Sequence, residues 1–384
     1  MSAKCTLTIN GHTIRAGIGE TLVDAALGGR ILVPHDCCSG QCETCRVRVV
    51  AGSVDDQGTG EGDTVLACLA TLAGDAAIAF DEVPAVVKRA GQVASLRRLS
   101  PEVVEVALRL REPLTYLPGQ YASVAFAGFP ARDYSPAPRA DGGLDPRELV
   151  LHVRVLADGA VSSALGGAIG VGHKVQVRGP FGHAFFRRGD GLLVLVAGGT
   201  GWAPIWAVAR EACLTQPGRD IVVVVGARDL SGLYMRRSLD WLREHGVREI
   251  IMTSEADAAG DVRLGRPTNY LPSLGPQDMV YVAGAPGLVE AVKRKALAAG
   301  AFCFADPFLP GTQRVSLVGR VARLLRAPGS SAEAGAPLSP RPARLDPRPA
   351  EAAAGERGAG QPAVAAPRRP LQTTLFGPRS SGRR

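Results

Sequence analysis

Cys37-Cys-Ser-Gly-Gln-Cys42-Glu-Thr-Cys45 puts four thiols into nine residues, and a fifth, Cys68, follows. The 384-residue chain has eight cysteines, so most of its thiols lie between positions 37 and 68. Cys5, Cys213 and Cys303 are scattered and read as small buried hydrophobes. The opening Met1–Asn10 lacks the charged-then-apolar pattern of a secretory signal. No stretch approaches the ~18 consecutive apolar residues of a membrane span. A cytoplasmic location is therefore expected, where a disulfide framework is a poor use of clustered thiols. A metal is the better one.

Counted from Cys37, the spacing is C-x4-C-x2-C with a distant fourth cysteine, the plant-type [2Fe–2S] pattern. Three thiolates on one short loop can wrap two irons, and a fourth from elsewhere completes the second iron. Small residues at Ser39, Gly40 and Thr44 let backbone N–H groups approach the bridging sulfides. A structural zinc site would prefer two C-x2-C knuckles, and only one is present. Rieske ligation needs two histidines, and His35 alone is near. The expected ligands are Cys37, Cys42, Cys45 and Cys68, with Cys38 a non-ligand neighbour.

The net charge of +8 would suggest nucleic acid if it were spread over the chain. It is not. Residues 311–384 hold 13 arginines against 4 acidic residues, which leaves residues 1–310 with 31 basic and 32 acidic side chains. The body of the protein offers no electrostatic reason to bind DNA or RNA.

Three styles of patterning divide that body. Residues 1–84 alternate around Asn10-Gly11 as a hairpin, then show helical spacing over Glu20–Leu27 ended by Gly28-Gly29. Together with Arg46–Val50 this predicts a small α+β domain. Residues 85–188 carry short strand-like runs (Val103–Leu108, Tyr121–Phe126, Leu149–Val155, Lys174–Val177) separated by Pro and Gly turns, as in an antiparallel barrel. From 189 to 310 the runs become continuously apolar: Leu192–Ala197, Ile221–Val225 and Met279–Ala283. Helical segments such as Ala203–Cys213 and Leu239–His245 accompany them, which predicts a buried parallel sheet in an α/β domain. Residues 311–384 are rich in Ala, Pro, Gly, Ser and Arg and predict a disordered tail, with a transient helix at Val315–Leu325. Within it, Gln372-Thr-Thr-Leu-Phe376 resembles the pentapeptide with which bacterial proteins bind the replication sliding clamp. So short a match in a biased segment carries little weight, and a linker or docking arm is the favoured role.

Four motifs in the second segment follow in a telling order: Pro118-Gly-Gln-Tyr121, Arg132-Asp-Tyr-Ser135, Gly159-Ala-Val-Ser162 and Gly179-Pro-Phe-Gly182. Together they resemble the FAD domain of the ferredoxin–NADP reductase superfamily. In the third segment, Gly198-Gly-Thr-Gly201-Trp-Ala-Pro204 lies between a buried strand and a helix, where unpaired N–H groups suit a pyrophosphate. With Gly226-Ala-Arg228, Leu233-Tyr234 and Tyr281-Val-Ala283-Gly-Ala-Pro286, it resembles the nicotinamide-binding half of the same superfamily. The cysteine loop resembles that of plant-type ferredoxins, with a shortened interval from Cys45 to Cys68.

The resemblance implies a β-grasp ferredoxin domain, an antiparallel β-barrel FAD domain and a Rossmann-like NAD domain. It also implies roles for individual residues. Arg132 would neutralise the flavin pyrophosphate, Tyr134 would stack on the ring system and Ser135 would hydrogen-bond near N5. His152 and Val153 would lie along the flavin, and Gly159 and Ser162 would meet the pyrophosphate. Gly198, Gly199, Thr200, Gly201, Pro204, Arg228 and Gly284 would hold the nicotinamide cofactor, with Ser135 and Thr200 nearest the chemistry. Tyr121 and Phe181 read as core. Phe308 reads either as core or as an aromatic over the flavin. Three positions depart from the family pattern: Pro136 follows the serine, Ala283 stands where many relatives have cysteine, and Trp202 replaces an aliphatic residue as packing or as a lid.

The order iron–sulfur, FAD, NAD is that of the reductase components of multicomponent bacterial oxygenases. The implied function is electron transfer from NADH through FAD and a [2Fe–2S] cluster to an oxygenase or hydroxylase partner. NADPH stays open as donor, because Arg228 suits a 2′-phosphate while Asp229 suits a ribose 2′-hydroxyl. The alternatives are a reductase of a separate ferredoxin, cytochrome or small molecule, or a non-catalytic redox sensor.

Overall fold

A computed structural model describes residues 3–40 and 43–309. The tail expectations, the Val315–Leu325 helix, the Gln372–Phe376 pentapeptide and the expected ligand Cys42 lie outside the described residues. Three sheets follow one another along the chain.

The first sheet comprises β1 (Lys4–Ile9), β2 (His12–Gly17), β3 (Arg46–Asp55), β4 (Thr64–Leu66) and β5 (Thr71–Ala79), in the order β2-β1-β5-β3-β4. Only β1 and β5 run parallel. Asn10 and Gly11 take φ of 45° and 86°, as a two-residue hairpin turn with right-handed strand twist requires. Helix α1 (Leu22–Gly28) crosses the sheet and buries Leu22, Val23, Ala25 and Ala26 against Leu7 and Ile9. It begins two residues later than the apolar spacing suggests because Thr21 caps it, its hydroxyl accepting from the Asp24 N–H at 3.1 Å. Such a cap contributes about 1 kcal/mol.

The second sheet holds β6 (Val87–Ser100), β7 (Val103–Leu110), β8 (Tyr121–Phe126), β9 (Arg132–Tyr134), β10 (Glu148–Arg154) and β11 (Lys174–Phe181). All neighbours in the order β10-β7-β6-β11-β8-β9 are antiparallel. Just past β9, Ala137 donates to the Val150 carbonyl of β10 at 2.8 Å, which joins the two edges and curls the sheet into a barrel. Its core is aliphatic, with Val106, Leu108, Val124, Leu151 and Val177 fully buried.

The third sheet is entirely parallel, in the order β15-β14-β13-β12-β16-β17. Its strands are β12 (Leu193–Gly198), β13 (Ile221–Ala227), β14 (Glu249–Ser254), β15 (Val262–Leu264), β16 (Met279–Gly284) and β17 (Phe302–Pro307). Successive residues of β12 point to opposite faces, and both faces are covered, which is why the run is continuously apolar. Leu193, Leu195 and Ala197 pack with α2 (Trp202–Thr215) and α3 (Arg236–Glu244). Val194 and Val196 pack with Val289, Val292 and Ala296 of α4 (Pro286–Ala298).

Arg187 gathers the three sheets at their junction. Its guanidinium lies 3.8 Å from the Phe185 ring centroid and 4.3 Å from that of Phe304, and it pairs with Asp81 at 2.7 Å. Its backbone N–H donates to the Tyr281 hydroxyl, which itself donates to the Phe185 carbonyl. No helix among the described residues is long and apolar enough to cross a membrane.

Candidate electron-transfer site

The cysteine loop is wound from residues in unusual conformations: Cys38 and Glu43 take φ of 49° and 52°, and Gly40 takes 76°. Turning the chain this way directs N–H groups at sulfur. Ser39 donates to Cys37 Sγ at 3.4 Å, and the Gly40 N–H reaches the Cys68 sulfur. Cys45 is buried, and its contact with Cys68 is the main reason the Cys68 thiol falls to about 7, against the opposing effect of burial. Cys38 is different. It is exposed, and its thiol is raised by desolvation and by Cys68 and Cys37 beside it. Among the described residues no trio of Cys, His, Asp or Glu converges as a single-metal site. A two-iron cluster needs pairs of thiolates spread over two metals, with N–H donors around the sulfurs, and this donor set fits it.

The residues expected to hold FAD lie on and beside the barrel strands. Arg132 and Tyr134 both belong to β9, opposite Val124 and Ala122 of β8. The Arg132 guanidinium donates only to the Ala131 carbonyl and forms no ion pair among the described residues. Burial raises the Tyr134 hydroxyl to about 12, so the ring is neutral and partly covered. Ser135 is buried and donates to Asp306 Oδ2 at 3.4 Å, across to β17 of the third sheet. Desolvation lifts that carboxyl to about 7, with the Ser135 bond opposing.

His152 of β10 meets the third sheet's domain as well, its Nδ1 lying 3.1 Å from the Tyr234 hydroxyl with the rings edge-on. Val153 is core: its side chain is 3% exposed inside the barrel. Gly159 and Ser162 form one tight turn, in which Ser162 Oγ accepts from Leu156 N–H and keeps its own proton to donate. A side chain on Gly159 would run into Ser162 Oγ.

In the third domain, Gly198 ends β12, Gly199–Gly201 make one 3-10 turn holding Thr200, and α2 starts at Trp202 with Pro204 in its first turn. No side chain caps α2, so its first N–H groups remain directed at the turn. Gly201 and Gly284 are required by close approach: a Cβ on the former would lie 2.1 Å from the Ala283 carbonyl oxygen, and on the latter 2.8 Å from that of Gly198. Arg228 follows β13 and forms no ion pair among the described residues, whereas the Asp229 carboxylate accepts from Ser231 Oγ and Gly232 N–H. Those bonds hold Asp229 below the ordinary carboxylate range.

Of the positions read two ways, Trp202 is packing. It is fully buried, stacks on Trp206 and donates to Ser238 Oγ at 2.8 Å. Phe181 is core, with Tyr121 half-buried against its ring at 5.6 Å. Phe308 packs at the edge of the third domain's core, its N–H on the Gly284 carbonyl. Sequence reading missed the carboxyl of Asp306. Phe308 nearby was read for its aromatic ring, but only folding brings position 306 to Ser135.

Two half-buried histidines give this region a pH signature. Burial lowers His152 to about 4 and His183 to about 3, the latter with help from Arg187. Both are neutral in the folded chain and protonate near ~6.5 once unfolded. Their contribution is therefore complete above that pH and is lost as pH falls towards the folded values. Each should remove about 3 kcal/mol by pH ~4. Asp306 acts in the opposite sense, its contribution fading as pH rises towards 7. Denaturant midpoints of the full chain should fall between pH 6.5 and 4, more steeply in Asp306→Asn. A flat profile would contradict the assignment.

Comparison with known proteins agrees with this geometry. Residues 6–73 match the family model of the 2Fe-2S iron-sulfur cluster binding domain. Residues 90–186 match the oxidoreductase FAD-binding domain, and residues 195–294 the oxidoreductase NAD-binding domain. The chain is 31% identical over 303 residues to the ferredoxin–NAD(P)+ reductase component of a Ralstonia naphthalene 1,2-dioxygenase/salicylate 5-hydroxylase system, covering 74% of this chain and 90% of that protein. It is 32% identical over 312 residues to the reductase subunit of an Amycolatopsis aromatic O-demethylase, covering 74% and 92%. The crystal structure of an Amycolatopsis cytochrome P450 reductase superposes with a TM-score of 0.59 at 27% identity, covering 80% of this chain and all of that one. The chain belongs to the ferredoxin–NAD(P)+ reductase family of iron–sulfur flavoproteins. It is an oxidoreductase of the three-domain type with [2Fe–2S], FAD and NAD sites.

Proposed function

We propose that this protein is the reductase component of a multicomponent oxygenase, carrying electrons from NADH through FAD and the [2Fe–2S] cluster to an oxygenase or hydroxylase partner. The observation that supports the reading is that the three domains are joined through Arg187, which pairs with Asp81 of the first and packs on Phe304 of the third. Bound FAD supplies the conversion of a hydride pair into single electrons. The chain's own groups do the positioning. Arg132, Ser162 and the turn at Gly159 hold pyrophosphate, Tyr134 covers the ring system, and Ser135 and Thr200 border the reacting face. Gly198, Gly199, Gly201, Pro204 and Gly284 shape the pocket for the nicotinamide cofactor. Cys37, Cys42, Cys45 and Cys68 ligate the cluster. A reducing cytoplasm suits cysteines kept for a cluster.

The first test is an anaerobic absorbance titration of the purified protein with NADH, repeated with NADPH. Bleaching of both flavin and iron–sulfur bands by NADH supports the internal route. A preparation that bleaches but has no iron–sulfur band would refute it. Electron delivery that rises on adding a hydroxylase component separates an oxygenase reductase from a reductase of free carriers.

NADH is the proposed donor, but the second strand's turn does not exclude a 2′-phosphate. Asp229 spends its carboxylate on its own turn, and Arg228 is open to a phosphate. Arg228→Gln should lower kcat/KM for NADPH roughly tenfold, the loss of one charge-assisted hydrogen bond, and leave NADH nearly unchanged. An equal loss with both donors would show that Arg228 serves a part common to them.

A further inference from the structure

The ferredoxin segment is bound to the rest of the protein by ion pairs of a single polarity. Residues 1–83 carry 5 basic and 11 acidic side chains, whereas residues 84–310 carry 26 and 21. Three ion pairs cross between these segments among the described residues: Asp36–Arg178 at 2.7 Å, Asp81–Arg187 at 2.7 Å and Glu61–Lys293. In each, the acid comes from the ferredoxin side.

These pairs cluster around the cysteine loop. Asp36 immediately precedes Cys37, and its side chain is only 4% exposed against Arg178 of β11. Thr44 immediately precedes Cys45, and its hydroxyl accepts from the Gly182 N–H at 3.1 Å, one residue past β11. Arg46 immediately follows Cys45 and pairs with Glu61, which also holds Lys293 on α4. Both flanks of the loop are thus fastened to groups outside the ferredoxin sheet. The Arg178–Gly182 segment that receives two of these fastenings belongs to the barrel assigned to FAD.

We propose that Asp36 and Arg178 are positioning residues for internal electron transfer, their ion pair and the neighbouring Thr44–Gly182 hydrogen bond seating the cysteine loop on the flavin barrel. This rests on the functional reading above. Neither side chain ligates the cluster or touches the residues assigned to FAD and NADH. Arg178 has a second role in reach: its guanidinium lies 4.9 Å from the Phe181 ring centroid, which fixes its direction over the strand end. Because the attraction is between partly solvated charges, raised salt should weaken it. Oppositely charged surfaces also favour re-docking whenever the ferredoxin domain leaves to meet a partner.

The test uses the full chain loaded with both cofactors. In Arg178→Gln, stopped-flow absorbance should show flavin bleaching by NADH unchanged and the subsequent bleaching of the cluster slowed about tenfold, as expected for an equilibrium weakened by one interdomain ion pair. Arg178→Lys should recover most of the rate. Raised salt should slow the wild type and leave Arg178→Gln nearly unaffected. Hydrogen exchange supplies a readout independent of turnover: the peptide containing the Gly182 amide should lose protection in Arg178→Gln. Unchanged cluster bleaching, or unchanged exchange at Gly182, overturns the proposal. Loss of flavin bleaching as well would overturn it in favour of a merely structural arginine. A wild-type protein without cluster bands would instead refute the functional reading.

Discussion

Cys45→Ser is expected to leave NADH-dependent flavin bleaching intact while electron delivery to a protein acceptor falls to background. Cys45 is 2% exposed, in a loop whose neighbours are both committed elsewhere, Thr44 to Gly182 and Arg46 to Glu43 and Glu61. The loop therefore has little freedom to offer a substitute ligand. Its sulfur also acts on Cys68, whose thiol at about 7 owes more to Cys45 than to any other group. A serine hydroxyl at this position supplies neither a thiolate nor that assistance, so the cluster would lose one ligand and be held less well by a second. The paired control is Cys38→Ser. Cys38 is exposed, its thiol is raised rather than lowered, and its removal should cost neither cluster absorbance nor delivery. Retention of the iron–sulfur bands and of full delivery by Cys45→Ser would disprove the ligand assignment. Failure of Cys38→Ser to keep its bands would show that the ligand register begins one residue later.

These predictions depend on features of unequal visibility in the sequence. The cysteine spacing was legible because an iron–sulfur loop draws its ligands from one short stretch, so its chemistry is written locally. Parallel strands were legible for a similar reason: burial on both faces makes Leu193–Ala197 and Ile221–Val225 uninterrupted. Glu249–Ser254 was not, because an edge-ward strand beginning with Glu and ending in Thr-Ser offers no clean period. Helix α4 was missed where Pro286 and Gly287 open it, residues that read as a loop although proline suits a first turn. The Trp202 question could not be decided from composition at all. Its answer depends on Ser238 and Trp206, one of them 36 residues away and invisible to any local pattern.

The same limit governs the site. Arg132 and Tyr134 on β9 and Ser135 just past it announce themselves as a motif. Asp306 joins Ser135 across 171 residues of chain, and Asp36 joins Arg178 across 142. No spacing rule connects such pairs. They become visible only when the barrel and the parallel sheet have both formed. Chemistry that is local in the chain was read; positioning between domains was not.

Arg132→Ala should lower the affinity for FAD about 10- to 100-fold with little change in the stability of the apoprotein. The argument begins with what Arg132 does not do. It is half-exposed on a three-residue strand, donates only to the adjacent Ala131 carbonyl, and forms no ion pair among the described residues. Most other arginines near the barrel are committed to carboxylates: Arg97 to Glu105, Arg139 to Glu148 and Arg154 to Glu102. An unpaired guanidinium beside a buried tyrosine suits a phosphate group. Hydrogen bonds to a charged partner contribute about 1.5–3 kcal/mol net, and that loss corresponds to the stated range of affinity. Arg132→Lys keeps the charge but not the two-pronged geometry, so it should fall between wild type and alanine. Flavin retained after dialysis, measured against protein concentration, separates the three. Reconstitution of the alanine variant with excess FAD should restore NADH-dependent bleaching, because Ser135 and the nicotinamide turn are intact. Wild-type retention in Arg132→Ala would move the pyrophosphate elsewhere on the rim, whereas lost bleaching at saturating FAD would place Arg132 in orienting the ring rather than in holding the phosphates.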